Sequence, residues 1–342
     1  MSILSRDRLI ARFGLPALAV LLVLFGIRAS TQGGGQAAPP RPENVLAGTI
    51  EMHQHHDPDE RARNTDAIDA ALYARLRGMR GLVLKSHGQE TAGVAWLTAK
   101  MVPGIELISA MTLDLVHGGL NKYAVQQFAT VVKKANNPSS RIGLVMFGTD
   151  TVCRPGRNVE CVAVSANGQL LPETVAIIGE IKKHGLVLST GHLPPEENLM
   201  VLREAKRQGI TQLTTTHVNL DPPGLAGSLA HMQEVAKLGA YLEFASKTQL
   251  PGGLDGHVAF DKPATTEARN AWDAKMIRQI GPEHVILEGD LGAIRNELGP
   301  DGLAAYVTNL RKLGFTKEET DMMTKTNPAK LLGLPPLPAG TR

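Results

Sequence analysis

Residues 48–59, GTIEMHQHHDPD, carry the local pattern that decides the fold. The apolar and β-branched start predicts a strand, and three histidines and three carboxylates crowd onto its end. The same order, a short apolar run followed by polar residues, returns along the chain. Such a repeat is typical of parallel strands that carry functional side chains at their carboxyl ends.

Eight short apolar or β-branched runs alternate with longer stretches of helical period. The runs are 48–53, 81–85, 105–110, 142–147, 186–190, 212–216, 240–245 and 285–288. The helical stretches are 66–79, 124–135, 173–184, 196–208, 229–238 and 268–280, followed by 301–313 and 317–325. Eight units predict an α/β protein, a (β/α)8 TIM barrel. A doubly wound open sheet is the alternative. The sequence has no Gly-x-Gly-x-x-Gly after the first strand and no P-loop, which argues against nucleotide binding.

The amino-terminal residues predict export. Three arginines, Arg6, Arg8 and Arg12, precede an uncharged apolar run at 13–27, which is shorter than the roughly 20 residues of a membrane-spanning helix. Residues 1–29 are therefore expected to be a signal peptide for periplasmic or secreted export, with an N-terminal membrane tether as the alternative. We expect a flexible linker at 30–45, the barrel at 46–334 and a C-terminal tail at 335–342.

The charge of the chain argues against a nucleic-acid partner. The formal net charge of +3 comes from 36 Lys and Arg and 33 Asp and Glu, and residues 1–29 hold four of those arginines and one of the acids. The remainder is balanced, and it has no cluster of basic residues for phosphate binding. A small-molecule substrate is the expected partner, and a homo-oligomer is compatible with such a barrel.

The two cysteines, Cys153 and Cys161, lie close together in the sequence. In an oxidising compartment they are expected to form a disulfide, the alternative being two unpaired thiols in a loop.

Polar residues capable of chemistry follow six of the eight predicted strands. They are His53 and His55, Lys85 and His87, Asp150, His192, His217, and Glu288 and Asp290. Side chains two apart on a strand point the same way, so His53 and His55 can bind one ion. Imidazole nitrogens with a carboxylate are ligands that Zn²⁺ prefers. Each residue alone has an ordinary reading as a helix cap or a core histidine, but their joint position predicts a metal site.

The order His-x-His on the first strand, His on the fifth, His on the sixth and Asp on the eighth resembles the amidohydrolase superfamily of metal-dependent hydrolases. The matching residues are His53, His55, His192, His217 and Asp290. The runs LVLKSH, HGGLN, LVLSTGHLPPEE and GDLG are similar to sequences of a bacterial branch of that superfamily. This similarity implies no particular substrate. The resemblance covers about residues 46–334. It implies one or two Zn²⁺ ions, with Mn²⁺ or another divalent ion as a substitute.

The chain departs from the superfamily pattern at the fourth strand. Members with two metals bridge them through a carboxylated lysine or a glutamate there, and residues 142–147 contain neither. Lys85 on the second strand has three readings: a carboxylated bridge, an ammonium that binds a substrate anion, or an ion-pair partner of Glu288 or Asp290.

The resemblance implies hydrolysis of an amide, lactone, ester or related bond by a metal-activated water. Asp290 would act as the base, and His217 would bind a second metal or polarise the substrate, with Lys85 as a further catalytic group. His87, Asn121 and Arg154 are expected to bind substrate, while Asp57 or Asp59 would orient a ligand histidine, although Asp-Pro-Asp is also an ordinary turn sequence. The alternatives are a decarboxylase on the same fold and a secreted barrel that binds a ligand without catalysis.

Overall fold

The computed structural model describes residues 43–149, 151–153, 160–219, 228–246 and 265–337. Eight parallel strands form one sheet in the order β1-β2-β3-β4-β7-β8-β9-β10. These strands are β1 (Ile50–His55), β2 (Gly81–Lys85), β3 (Glu106–Thr112), β4 (Gly143–Met146), β7 (Val187–Ser189), β8 (Leu213–Thr215), β9 (Tyr241–Ala245) and β10 (Val285–Glu288). The short strands β5 (Ser165–Ala166) and β6 (Gln169–Leu170) form a separate antiparallel hairpin.

The sheet closes just beyond β10. Leu291 pairs in parallel with Gln54, and its carbonyl accepts a hydrogen bond of 3.0 Å from the backbone N–H of His55. The predicted (β/α)8 barrel is therefore confirmed, and the open-sheet alternative is wrong.

Helices connect successive barrel strands and cover the outside. They are α1 (Ala67–Leu76), α2 (Ala92–Met101), α3 (Lys122–Val132), α4 (Pro172–His184), α5 (Pro195–Arg207), α6 (Leu229–Leu238), α7 (Thr266–Ile280) and α8 (Gly299–Lys312). The chain continues through α9 (Lys317–Asp321), a π-helical turn (Met322–Thr326) and α10 (Asn327–Leu332). Side-chain oxygens cap α1, α3, α6 and α7 at their first turns, which satisfies backbone N–H groups that a helix start leaves free.

Two apolar layers flank the strands. The inner layer lies inside the barrel and includes Val83, Leu144 and Ile286, which pack with Leu331 and Leu332 of α10. The outer layer lies between strands and helices, where alternate residues of the same strands, such as Leu82 and Leu287, meet the helix faces. Because side chains alternate along a strand, the residues two positions beyond the inner layer, such as Lys85 and Glu288, share its face.

Asp114 fixes the chain where β3 and β4 end. Its buried carboxylate accepts hydrogen bonds from the backbone N–H groups of Thr149 and Thr151, at 2.9 and 3.1 Å, and from both hydroxyl groups, each at 2.7 Å. A few residues on, Cys153 and Cys161 form a disulfide with Cα atoms 4.9 Å apart. The Asp114 bonds hold Thr149 and Thr151 against the end of β3, and the disulfide joins Cys153 to Cys161 within the same segment.

Asn44 is already part of the barrel unit, since its side-chain amide donates to the carbonyl of Arg77 at 2.7 Å. This contact lies within the predicted linker at 30–45. The predicted signal peptide lies outside the described residues. In the part of the chain that is described, no helix combines the length and the apolar character needed to span a membrane.

Candidate active site

The end of β1 carries the first two candidate ligands. The pairing of β1 with β2 changes register between Glu51 and Gln54, which is a bulge in the strand. Bulges of this kind re-aim side chains and are common next to active sites. His53 lies within the bulge and His55 just beyond it; both are about 97% buried, and their rings lie 5.0 Å apart.

Asp290 brings three imidazoles together. Its Oδ1 lies 3.0 Å from Nε2 of His55 and 3.8 Å from Nε2 of His53, while its Oδ2 lies 3.7 Å from Nε2 of His217. The rings of His53 and His217 are 4.3 Å apart. Residues separated by more than 230 positions in the sequence thus face one small volume at the carboxyl ends of β1, β8 and β10.

Left-handed backbone conformations shape this cluster. His217 and Asp290 have φ angles of 52° and 48°, which are uncommon for residues with a side chain. Each lies two residues beyond the end of its strand, β8 or β10. Gly191 (φ 58°) occupies a similar place after β7, where a Cβ atom would lie 2.2 Å from the carbonyl oxygen of Gly148. Residues held in such conformations cluster at functional sites.

Three fully buried glutamates lie within or next to the cluster: Glu51, Glu243 and Glu288. In the sequence, Glu288 stands out only as a polar residue at a strand end and as a possible partner of Lys85, and no role is predicted for Glu51 or Glu243. Glu288 contacts two of the histidines, with Oε1 2.6 Å from Nδ1 of His217 and Oε2 3.4 Å from Nδ1 of His53. Glu51 accepts backbone N–H groups of His53 (2.9 Å) and Gly289 (2.7 Å), and Glu243 accepts the Thr214 hydroxyl (2.8 Å). An acidic residue inside an otherwise apolar strand, as in IEMH, LEFA and VILE, was the available sequence signal.

Lys85 projects toward the same acids. It is 2% exposed, and its Nζ has no hydrogen-bond partner among the described residues. Burial lowers the pKa of Lys85, and the charges of Glu243, Glu288 and Asp290 oppose that effect. Among the described residues, Lys85 thus makes no direct hydrogen bond to Glu288 or Asp290, while the charges of both carboxylates act on it, and the three readings of Lys85 stay predictions.

Burial controls the charge state of the cluster. It holds the pKa of His53 well below its ordinary value, with nearby His217 and Lys85 acting in the same direction, and it lowers the pKa of His55 to about 3. It raises the pKa of Glu51 to about 7 and, together with Glu243 and Asp290, raises that of Glu288 well above the usual range. Neutral imidazoles with free lone pairs are the form that binds a metal ion.

The remaining predicted residues have more varied positions. The ring of His192 lies 5.3 Å from that of His217, so His192 borders the cluster from the β7 side. His87 has its ring 4.9 Å from His55 and its Nδ1 3.6 Å from Glu60. Asn121 accepts from the backbone N–H groups of Tyr123 and Ala124 as the N-cap of α3, a role that accounts for it without a substrate. Arg154 and Asp150 lie outside the described residues.

The predicted orienting carboxylates are tied to Arg63. Asp59 forms a 2.6 Å ion pair with its guanidinium and also accepts the Ser86 hydroxyl at 2.9 Å. Although burial opposes the change, Arg63 holds the pKa of Asp59 well below its usual range. Asp59 approaches Nδ1 of His55 only to 3.9 Å, and the carboxylate of Asp57 faces the backbone N–H of Arg63 at 3.3 Å. Asp59 is thus close to a candidate ligand but too far for a hydrogen bond.

The donor set fits a divalent cation. Among the described residues, His53, His217 and Asp290 each offer one ligand atom, and these three atoms lie within 4.8 Å of one another. A second group of the same kind consists of His53, Glu243 and Glu288. His55, hydrogen-bonded to Asp290, adjoins the first group. Buried imidazoles and carboxylates that converge in this way are usual ligands of zinc and related ions.

These features define a (β/α)8 barrel with an imidazole and carboxylate cluster at the carboxyl ends of its strands. The sequence matches the profile of a family of unknown function, DUF6282, over residues 48–243, and the chain belongs to that family. The matched part includes all four candidate histidines and Lys85, but ends before Glu288 and Asp290. A comparison with curated proteins finds no match.

Solved structures share the fold. An organophosphorus hydrolase from Deinococcus radiodurans is 14% identical and superimposes with a TM-score of 0.54, covering 85% of this chain and 94% of its own. A Pseudomonas putida protein provisionally assigned as a 2-pyrone-4,6-dicarboxylic acid hydrolase is 13% identical, with a TM-score of 0.53 over 84% of this chain and 97% of its own. At 13–14% identity these likenesses show the fold alone, and they confirm the barrel that the resemblance in the sequence implies.

Proposed function

We propose that the chain is a metal-dependent hydrolase of small molecules. The observation that carries this proposal is the convergence of His53, His55, His217 and Asp290 on one buried volume at the end of the barrel where such folds place their active sites. The names of the structural neighbours, an organophosphorus hydrolase and a pyrone dicarboxylic acid hydrolase, support the same class of reaction.

A bound divalent cation, for which Zn²⁺ is our choice and Mn²⁺ the substitute, would polarise the substrate and make water a stronger nucleophile at neutral pH. His53, His55, His217 and Asp290 would hold it, with His192 at the border. Asp290 has one oxygen toward His55 and the other toward His217, so it is placed to take a proton from the attacking water and return it to the leaving group.

The substrate is proposed to be an ester, lactone or phosphoester with a polar or anionic group. Lys85 supports the anionic group, because it is a buried amine with no hydrogen-bond partner among the described side chains. An ammonium in that position gains most from a negatively charged partner. Amides remain within reach of the same donor set.

Metal removal tests the proposal. The purified protein is treated with a chelator and assayed against a panel of lactones, carboxylic esters and phosphotriesters, with Zn²⁺ and Mn²⁺ added back separately. We expect activity to disappear on chelation and to return with one of the ions. The variant His184→Asn is the control for loss of a histidine outside the site, because His184 lies on the outer helix α4 and pairs with Glu180. Activity that survives exhaustive chelation would refute the proposal.

Export is proposed as well. Its support is the sequence of residues 1–29 together with the disulfide between Cys153 and Cys161, because disulfides persist in oxidising compartments. Cell fractionation, with mass determination of the mature amino terminus, tests this. An intact amino terminus in the cytoplasmic fraction would contradict it.

A further inference from the structure

Glu288 occupies a central position behind the candidate ligands. It is fully buried, and its two oxygens divide between two imidazoles: Oε1 lies 2.6 Å from Nδ1 of His217, and Oε2 lies 3.4 Å from Nδ1 of His53. In both histidines the opposite nitrogen, Nε2, faces Asp290. The Glu288 carboxylate therefore lies on the Nδ1 side of both rings, and the Asp290 carboxylate lies on the Nε2 side of both.

The two contacts differ in strength. The short contact to His217 is a hydrogen bond, in which the ring donates to Glu288 when Nδ1 carries the proton. The contact to His53 is longer, and neither Nδ1 of His53 nor Oε2 of Glu288 has a hydrogen-bond partner among the described residues. At 3.4 Å this contact is longer than an ordinary N–H···O hydrogen bond, and a small rotation of the His53 ring toward Glu288 would shorten it.

We infer that Glu288 is a positioning residue that sets the tautomers of both His53 and His217. With Nδ1–H directed at Glu288, each ring keeps the lone pair of Nε2 free toward Asp290. A histidine that binds a metal generally donates its other N–H to a carboxylate or carbonyl, which fixes the ring and raises its affinity for the ion. The inference rests on the proposed metal site, and it assigns one carboxylate to two ligands at once.

A glutamine in place of Glu288 could not accept a hydrogen bond from both His53 and His217. The amide has one acceptor oxygen, which can serve one imidazole, and its NH₂ group can only donate to the other. The imidazole that receives this N–H must carry its proton on Nε2, where it can no longer bind a cation. Glu288→Gln is therefore expected to switch the tautomer of one of the two rings without changing the volume of the side chain.

Glu51→Gln is the matched control. Glu51 is equally buried and adjoins the same cluster, but it accepts backbone N–H groups instead of imidazole N–H groups, and a glutamine oxygen can still accept them. The substitution removes a carboxylate near the site and leaves the imidazole contacts in place.

The test uses ¹⁵N-histidine NMR of the full chain, metal-depleted and zinc-loaded, together with zinc affinity from competition with a chelator. The metal-depleted spectra are recorded over a pH series, because burial raises the pKa of Glu288 and only its ionised form offers two acceptor oxygens. In the wild type, His53 and His217 are expected as Nδ1–H tautomers. Glu288→Gln should convert one of them to Nε2–H and weaken zinc binding by about 10- to 100-fold. Glu51→Gln should keep both tautomers and change the zinc affinity by less than about threefold. Glu288→Asp, which keeps two acceptor oxygens, should recover most of the loss and stands in if the glutamine variant does not fold.

Unchanged tautomers and zinc affinity in Glu288→Gln would overturn the inference while leaving the proposed metal site intact. A wild-type protein that binds neither Zn²⁺ nor Mn²⁺ would instead refute the proposed function, and the tautomers of the metal-depleted protein would still decide the role of Glu288.

Discussion

Replacement of Asp290 by asparagine tests the site most directly. The carboxylate faces Nε2 of three histidines, at 3.0, 3.7 and 3.8 Å. Its amide analogue loses the negative charge and turns an NH₂ group toward at least one of them. Even an orienting group behind a metal ligand is worth about 10- to 100-fold in affinity, so removal of this carboxylate should weaken zinc binding by at least about 100-fold.

The effect can be expressed as a shift in melting temperature. At a zinc concentration about 1,000 times the wild-type Kd, binding adds about 4.1 kcal/mol to stability, whereas a variant with about 100-fold weaker binding gains about 1.4 kcal/mol. The described barrel spans residues 43–337, for which the unfolding entropy is about 0.6 kcal/mol/K. Zinc should therefore raise the Tm by about 7 °C in the wild type and by about 2 °C in Asp290→Asn.

Differential scanning calorimetry with and without zinc measures this difference. Glu204→Gln, which changes a carboxylate on the outer helix α5 that pairs with Arg207, should keep the full wild-type shift. Samples with excess chelator should show no zinc-dependent shift for any variant. An Asp290→Asn protein with the full shift of about 7 °C would refute the assignment of Asp290 as a ligand.

Two further predictions concern buried carboxylates. Asp114→Ala should lower the free energy of unfolding by about 3–5 kcal/mol, because hydrogen bonds from Thr149 and Thr151 lose a charged acceptor. Despite burial, those bonds hold the pKa of Asp114 below its ordinary value, so its contribution is present above about pH 4 and is lost as the pH falls through the folded-state pKa. Urea titrations across that range measure it, and equal stability of variant and wild type at pH 7 would contradict it. Burial raises the pKa of Glu51 from 4.5 to about 7. Between these two pH values the folded metal-free protein retains a proton that the unfolded chain releases, so the free energy of unfolding should fall by about 3 kcal/mol as the pH rises from 4.5 to about 7. Glu51→Gln should remove that decline, and a difference between variant and wild type that does not depend on pH would argue against it.

The sequence predicts the fold well wherever a strand or helix has one clear periodicity. The runs at 81–85 and 285–288 coincide with β2 and β10, and the stretch at 229–238 coincides with α6. Helix α2 was not predicted, because Leu97 and Met101 are 63% and 67% exposed and place apolar residues on its outer face. Apolar residues on both faces remove the helical period that the prediction relies on.

The candidate ligands were predictable because a parallel barrel brings the carboxyl ends of its strands to one side. His53, His55, His217 and Asp290 are all found there, from three separate strands. The roles of the glutamates behind them were not predictable in the same way. Glu288 stood out only as a polar residue at a strand end, and a single acid within a strand, such as Glu51 or Glu243, also fits a solvent-facing position. Only the closed barrel shows that Glu51, Glu243 and Glu288 have no access to water.

The backbone conformation at the strand ends also could not be predicted from the sequence. His217 and Asp290 both adopt left-handed conformations two residues after their strands, although neither residue type requires one. Such a conformation costs about 1–2 kcal/mol for a residue with a side chain, and it persists only where the surroundings impose it. Here the surroundings are Glu288 behind the His217 ring and His55 against the Asp290 carboxylate, each a contact between elements far apart in sequence. The protein therefore holds these two side chains in the site through its own contacts, so a cation that binds there would meet ligands already in place.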